Sequence, residues 1–133
     1  MGERGFMPAR VSWHEKGQII LYSVSDPLEL SDLEQSAEEI WALAAEVREP
    51  VDMIFDYRET SSFPRGGLPM LRDGNFALPT LDRVALVGHE PLVEMMIMTL
   101  TRSTYRPDPT IHATIDEAAD FLRRMAKEDL NRR

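Results

Sequence analysis

Asp56, His89 and the neighbouring serines Ser61 and Ser62 supply the residue types for hydroxyl nucleophile chemistry. A carboxylate can orient an imidazole, and the imidazole can then take the proton of a serine hydroxyl as it attacks a substrate. No serine stands in a Gly-x-Ser-x-Gly frame, so the constituents of a hydrolase are present without its nucleophile elbow. The plainer alternative is that Asp56 caps a turn and His89-Glu90 lead, solvated, into a helix. Arg65-Gly66-Gly67 carries a different chemistry, because consecutive glycine N–H groups beside an arginine at a helix start can hold an anion. The same run is also ordinary turn chemistry. His14, His89 and His112 lie far apart with no His-x-x-x-His spacing, so no metal site is expected, and no motif calls for a cofactor. Cysteine is absent, which excludes disulfides, thiolate ligands, iron–sulfur clusters and a cysteine nucleophile, and leaves serine in that role.

The elements that must position these residues are legible from periodicity. Val11 and Trp13 alternate with polar neighbours, and after Glu15-Lys16-Gly17 a second apolar run, residues 19–24, follows at once, which predicts a β-hairpin with Gly17 at the left-handed position. Asp26-Pro27 closes the second strand. Ser31 with Glu34 reads as a capping box. From there Leu33, Ala37, Ile40, Trp41, Ala44 and Val47 form one apolar helical stripe that Pro50 ends. Residues 51–56 and 83–88 read as buried parallel strands, which sets a right-handed strand–helix–strand crossover. Between them, residues 57–82 are punctuated by Pro and Gly, yet Leu68, Leu71 and Phe76 can form the inner face of one or two irregular helical turns.

Pro91 suits the first turn of a helix running to about Ser103. Its Leu92, Val93, Met96, Ile97 and Leu100 share one broad apolar face, while Met95 and Met98 project to another side with Arg102. That second apolar surface reads as the lining of a lipid-like pocket, as a dimer contact, or as a helix buried on both sides. Residues 110–113 form a short strand, Thr114 with Glu117 a second capping box, and Ala118, Phe121, Leu122 and Met125 the apolar face of a last helix. The order ββαβ(α)βαβα is an α/β domain, a mixed sheet opened by a hairpin and covered by helices. It occupies residues 10–126, between a tail of residues 1–9 and a charged, frayed tail of residues 127–133.

The chain has 133 residues with 43% hydrophobic and 29% charged content, enough for one domain with a real core. Its net charge of −8 argues against a nucleic-acid partner, for which counterion release rewards positive charge. No stretch approaches a membrane span, and the start of the chain lacks the apolar run of a leader, so a cytoplasmic protein is expected. The negative charge lies on solvated helix faces and reads as solubility.

Residues 51–56 as a central strand, residues 83–88 as the next, and residues 111–122 as a strand leading into Asp116-Glu117-Ala118-Ala119-Asp120-Phe121-Leu122 resemble the STAS superfamily, specifically its SpoIIAA-like branch of small proteins. The resemblance spans roughly Val11 to Met125 and rests on hydrophobic patterns, which identify a fold better than a function. Anti-sigma antagonists of the superfamily carry an Asp-Ser-Ser-Gly-Leu-type loop whose serine is phosphorylated. Laid on this chain, that loop falls on Pro64-Arg65-Gly66-Gly67-Leu68, with Arg65 at the phosphoacceptor position. Ser61 and Ser62 lie nearby but out of register. The resemblance, the arginine at the phosphoacceptor position and the extra methionine surface together lead to the expectation of a non-enzymatic domain that binds a small apolar, amphipathic or anionic ligand, or a protein partner, as a homodimer. The candidate binding residues are Asp56, Arg65, Gly66, Gly67, His89, Met95 and Met98. The alternative is a hydrolase-like enzyme using Asp56, His89 and Ser61 or Ser62.

Overall fold

The computed structural model describes residues 7–101 and 107–132, without the side chain of Thr101 and without those of Leu92, Met96 and Leu100. The expectation of one broad apolar face through those three side chains, and the readings of residues 1–6, Arg102 and Ser103, lie outside the described residues. β1 (Ala9–Glu15) and β2 (Ile19–Ser25) form the hairpin, antiparallel, with Gly17 at φ 77° in the turn. A side chain at that backbone angle is strained, which is why glycine stands there. β3 (Val51–Glu59), β4 (Leu81–Val87) and β5 (Thr110–His112) then add in parallel, so the strands lie in chain order across a mixed five-stranded sheet.

The connections are α1 (Leu30–Ala44), a four-residue α2 (Gly67–Met70) running into a π-helical turn (Leu71–Asn75), and α3 (Pro91–Thr101). α4 (Ile115–Asn131) closes the chain. Alternation along β3 divides the core in two. Met53, Phe55 and Tyr57 pack with Leu33 and Ile40 of α1, Leu71 and Phe76 of the turn, and Val93 and Ile97 of α3. Ile54 faces the other way, onto Ala118, Ala119 and Leu122 of α4. Among the described residues, three helical segments thus cover one face and α4 the other. Both sides of β3 are buried, so it reads as a nearly continuous apolar run.

The structure departs from the sequence pattern in four places. α1 starts at Leu30 with Glu29 as its N-cap, two residues before the Ser31–Glu34 pair predicts. The Glu29 N–H donates to the Asp32 carboxylate at 2.9 Å, an acidic group placed where the positive end of the helix rewards it. Trp41, predicted on the buried stripe, is 43% exposed; its indole N–H reaches the Gly74 carbonyl at 3.1 Å, so the ring lies across the edge of the π-helical turn. α1 ends at Ala44, well before Pro50. α4 continues to Asn131, making residues 127–131 its last turn rather than a frayed tail. Its start is as expected, with the Glu117 N–H donating to Thr114 Oγ1 at 3.1 Å.

The π-helical turn owes its place to a buried polar network. Asn75, wholly buried, donates through Nδ2 to the Tyr22 hydroxyl at 2.7 Å, to the Leu33 carbonyl at 3.1 Å and to Ser36 Oγ at 3.0 Å. Tyr22 and Ser36 share a further 2.7 Å hydrogen bond. Strand, helix and turn are locked together by groups that cannot be re-solvated cheaply.

Candidate functional site

At the carboxyl ends of the parallel strands, where open α/β sheets usually take their ligands, a cavity of about 370 Å³ opens between the β3–α2 loop and α3. Phe63, Pro64, Leu68, Pro69 and Val93 make its apolar wall, with Ser61, Ser62, Arg65 and Gly66 at its polar side. The loop is fastened at its start, where the Ser61 N–H and hydroxyl both donate to Asp26 Oδ2, at 3.0 and 2.6 Å. Phe63 then stacks on Phe55 with ring centroids 6.5 Å apart. Gly66, at φ 81°, turns the chain into α2, and Gly67 packs where an added Cβ would lie 3.1 Å from Leu33 and Pro64. The Gly67 N–H is spent on the Pro64 carbonyl at 2.8 Å. The exposed Arg65 guanidinium makes no ion pair or hydrogen bond among the described residues, so it is the free cation of the cavity.

The α3 wall is set by Tyr57, whose hydroxyl donates to Glu94 Oε2 at 2.7 Å. Burial, reinforced by the Glu94 carboxylate, raises the Tyr57 pKa well above the ordinary phenol value, so this side chain is a neutral donor. Its ring lies against Gly88, where a Cβ would overlap Tyr57.

The sequence-predicted residues separate into distinct places. Gly66, Arg65 and both serines line the cavity. Asp56 faces the α4 side of the sheet, 7% exposed, and its carboxylate is held by the Arg58 guanidinium fork at 2.9 Å to each oxygen. His89 is exposed just after β4. Among the described residues it has no hydrogen bond to Asp56, Ser61 or Ser62; Asp56 is engaged by Arg58 and Ser61 by Asp26. Met95 is 62% exposed and Met98 half-buried, and the α3 residue that lines the cavity is Val93. His112 packs on Phe121 and bonds Thr110 Oγ1 at 2.8 Å; burial lowers its pKa. Among the described residues, no three His, Asp or Glu side chains group to hold a metal ion, and no helix is long and apolar enough to cross a membrane.

Sequence reasoning missed Phe63, Tyr57 and Glu94. A usable signal existed for one pair: Phe55 and Tyr57 share a strand parity with Met53, so Tyr57 had to emerge on the helix-covered face with a hydroxyl needing a partner.

No family model matches the chain, and no curated protein matches it. A search of solved structures finds an uncharacterized protein of the DUF3478 family from Shewanella loihica PV-4, described as having a SpoIIAA-like fold. The likeness covers 86% of this chain and 91% of that one, at 17% sequence identity and a TM-score of 0.64. At that identity the likeness speaks for architecture alone, and the architecture agrees element by element with the resemblance read from residues 51–56, 83–88 and 111–122: this chain has a SpoIIAA-like α/β fold.

Proposed function

We propose that the protein is a non-enzymatic cytoplasmic binding domain whose ligand is a small amphipathic anion, seated between the β3–α2 loop and α3. The observation that carries this reading is the cavity itself: an apolar slot of about 370 Å³, within the size range of small-molecule sites, with one uncommitted cation, Arg65, at its polar side. An acyl chain fits against Phe63, Leu68 and Val93, and a carboxylate or phosphate suits the Arg65 fork. Arg65 stands where antagonist relatives carry a phosphorylated serine, so a recruited charge takes the place of a covalent one. Against the hydrolase alternative stand the Asp56–Arg58 fork and the Ser61–Asp26 hydrogen bond, which engage two of its three groups elsewhere.

Decanoate added to labelled protein is expected to shift the amide signals of Ser61 to Leu68 and Val93 saturably, and R65Q to weaken that binding about tenfold, the scale of one lost charge-assisted hydrogen bond. Absence of saturable shifts, or full affinity in R65Q, overturns the reading.

A second reading, a homodimer or other protein partner, is favoured by Met95 on α3 and Ile111 on the edge strand β5, 62% and 44% exposed. Light scattering of wild type against M95E/I111E separates it from the first: a dimer lost in the variant supports a partner face, and a monomer in both removes it.

A further inference from the structure

We propose that a second cavity, at the opposite end of the sheet, is a binding site for a small organic cation with an apolar flank, with Asp52 as its counter-ion. This cavity measures about 500 Å³ and opens at the amino-terminal ends of β2, β3 and β4, under the last turns of α4. Its apolar wall includes Ile19, Val47, Leu122 and Leu130. Leu130 is 65% exposed, a large apolar side chain at a cavity that also carries Lys16, Glu49, Asp82 and Asp129.

The charge at that mouth is unevenly matched. Asp129 is occupied by Arg83, both carboxylate oxygens lying 3.3 Å from one guanidinium nitrogen. Arg123 is occupied by Glu15 and Asp120, outside the cavity. Lys16 alone remains to balance Glu49, Asp52 and Asp82, so the lining carries an excess of carboxylate. Glu49 is exposed and Asp82 half-buried; Asp52 is half-buried at the start of β3. Its Oδ1 accepts the Arg83 N–H at 3.0 Å, and Oδ2 accepts no hydrogen bond among the described residues. An ammonium group at Oδ2 would pair a carboxylate that burial otherwise penalises, while its alkyl flank covers Val47 and Leu130. An anion meets repulsion here, and the Arg65 cavity repels the cation, so the two ends of the sheet select opposite charges.

Hexylammonium is the probe, with hexanol and hexanoate beside it. Expected are saturable amide shifts at Asp52, Asp82 and Leu130 with hexylammonium in the millimolar range, and at least tenfold weaker shifts with hexanol or hexanoate. D52N keeps the Oδ1 acceptor for Arg83, so it should fold and lose at least tenfold in affinity; L130Q should lose severalfold while Asp52 still titrates. Because the Asp52 pKa is raised to about 6, chiefly by burial, with Asp82 and Asp129 adding to it and Arg83 opposing it, binding should weaken from pH 7.5 to pH 5. Full hexylammonium affinity in D52N, hexanol binding as tightly, or no saturable shift overturns the site. None of these results depends on the decanoate experiment.

Discussion

Tyr57 of β3 and Glu94 of α3 meet at 2.7 Å, phenol hydroxyl to carboxylate, at the point where α3 becomes the wall of the ligand cavity. Among the described side chains α3 places Val93 and Ile97 in the core, and this hydrogen bond adds a polar tie between the helix and the sheet. Val93 lines the cavity one residue from Glu94, so the same bond fixes the cavity's width.

Removing the hydroxyl in Y57F leaves a half-buried carboxylate without its donor. A hydrogen bond to a charged group contributes about 1.5–3 kcal/mol. Chemical denaturation should show a loss of about 2 kcal/mol, with hydrogen exchange rising in α3 and unchanged in α4. A loss spread evenly over both helices contradicts this anchoring role.

Tyr22 and Tyr57 both have their pKa raised far above the ordinary phenol value, in each case first by burial. The sign is fixed by linkage: above pH 10 the unfolded chain releases both protons and the folded chain keeps them, so stability falls as pH rises through that range. Ultraviolet titration at pH 11 should therefore show tyrosinate absorbance from both only after denaturant is added.

Strand pattern was the legible part. Alternation at Val11 and Trp13, the apolar runs at 51–56 and 83–88, and Thr114 with Glu117 all lie where local residues alone decide the outcome. The cap of α1 was misread because Glu29–Asp32 and Ser31–Glu34 overlap as capping pairs and the choice between them is made by tertiary packing. Trp41 satisfies the helical stripe, yet the stripe cannot know that Gly74 will offer a carbonyl to its indole. Met95 and Met98 read from the sequence as a pocket lining, a dimer contact or a doubly buried face, yet the α3 residue at the cavity is Val93, because which helix face meets the loop is set by tertiary packing. Asn75 gave no signal: an asparagine among Gly and Phe reads as a turn residue until Tyr22 and Ser36 are seen around it.

That network makes Asn75 costly to change. N75A leaves the Tyr22 hydroxyl and Ser36 short of a partner in a dry core and opens a small void, each worth roughly 1–3 kcal/mol. Thermal denaturation should register a loss of about 3 kcal/mol. N75D should be worse than N75A, since it buries an acceptor-only group where three acceptors already point.

Gly88 is required by contact rather than by backbone angle. A Cβ there overlaps the Tyr57 ring, so G88A must displace the ring and with it the Glu94 hydrogen bond. Overpacking alone costs about 1–3 kcal/mol. If the clash acts through the ring, G88A and Y57F should be strongly non-additive in a double-mutant cycle; additive losses place the effect of G88A elsewhere.

Asp52 gives the opposite expectation, a substitution that stabilises. Its pKa is raised from 3.8 to about 6, with burial the largest cause, so the folded chain holds a proton that the unfolded chain has already released between those pH values. Unfolding free energy therefore falls as pH rises from about 4 to about 6, and the loss is complete above that window. Asparagine keeps the oxygen that accepts from Arg83 and carries no charge to desolvate, so D52N should exceed wild type by about 2 kcal/mol at pH 7.5. At pH 4 the two should converge. Saturating hexylammonium should close the same gap from the other side, stabilising wild type at pH 7.5 and leaving D52N unmoved. A gap that persists at pH 4 assigns the effect of the substitution to packing, and a gap absent at pH 7.5 means the carboxylate is solvated well enough to need no counter-ion.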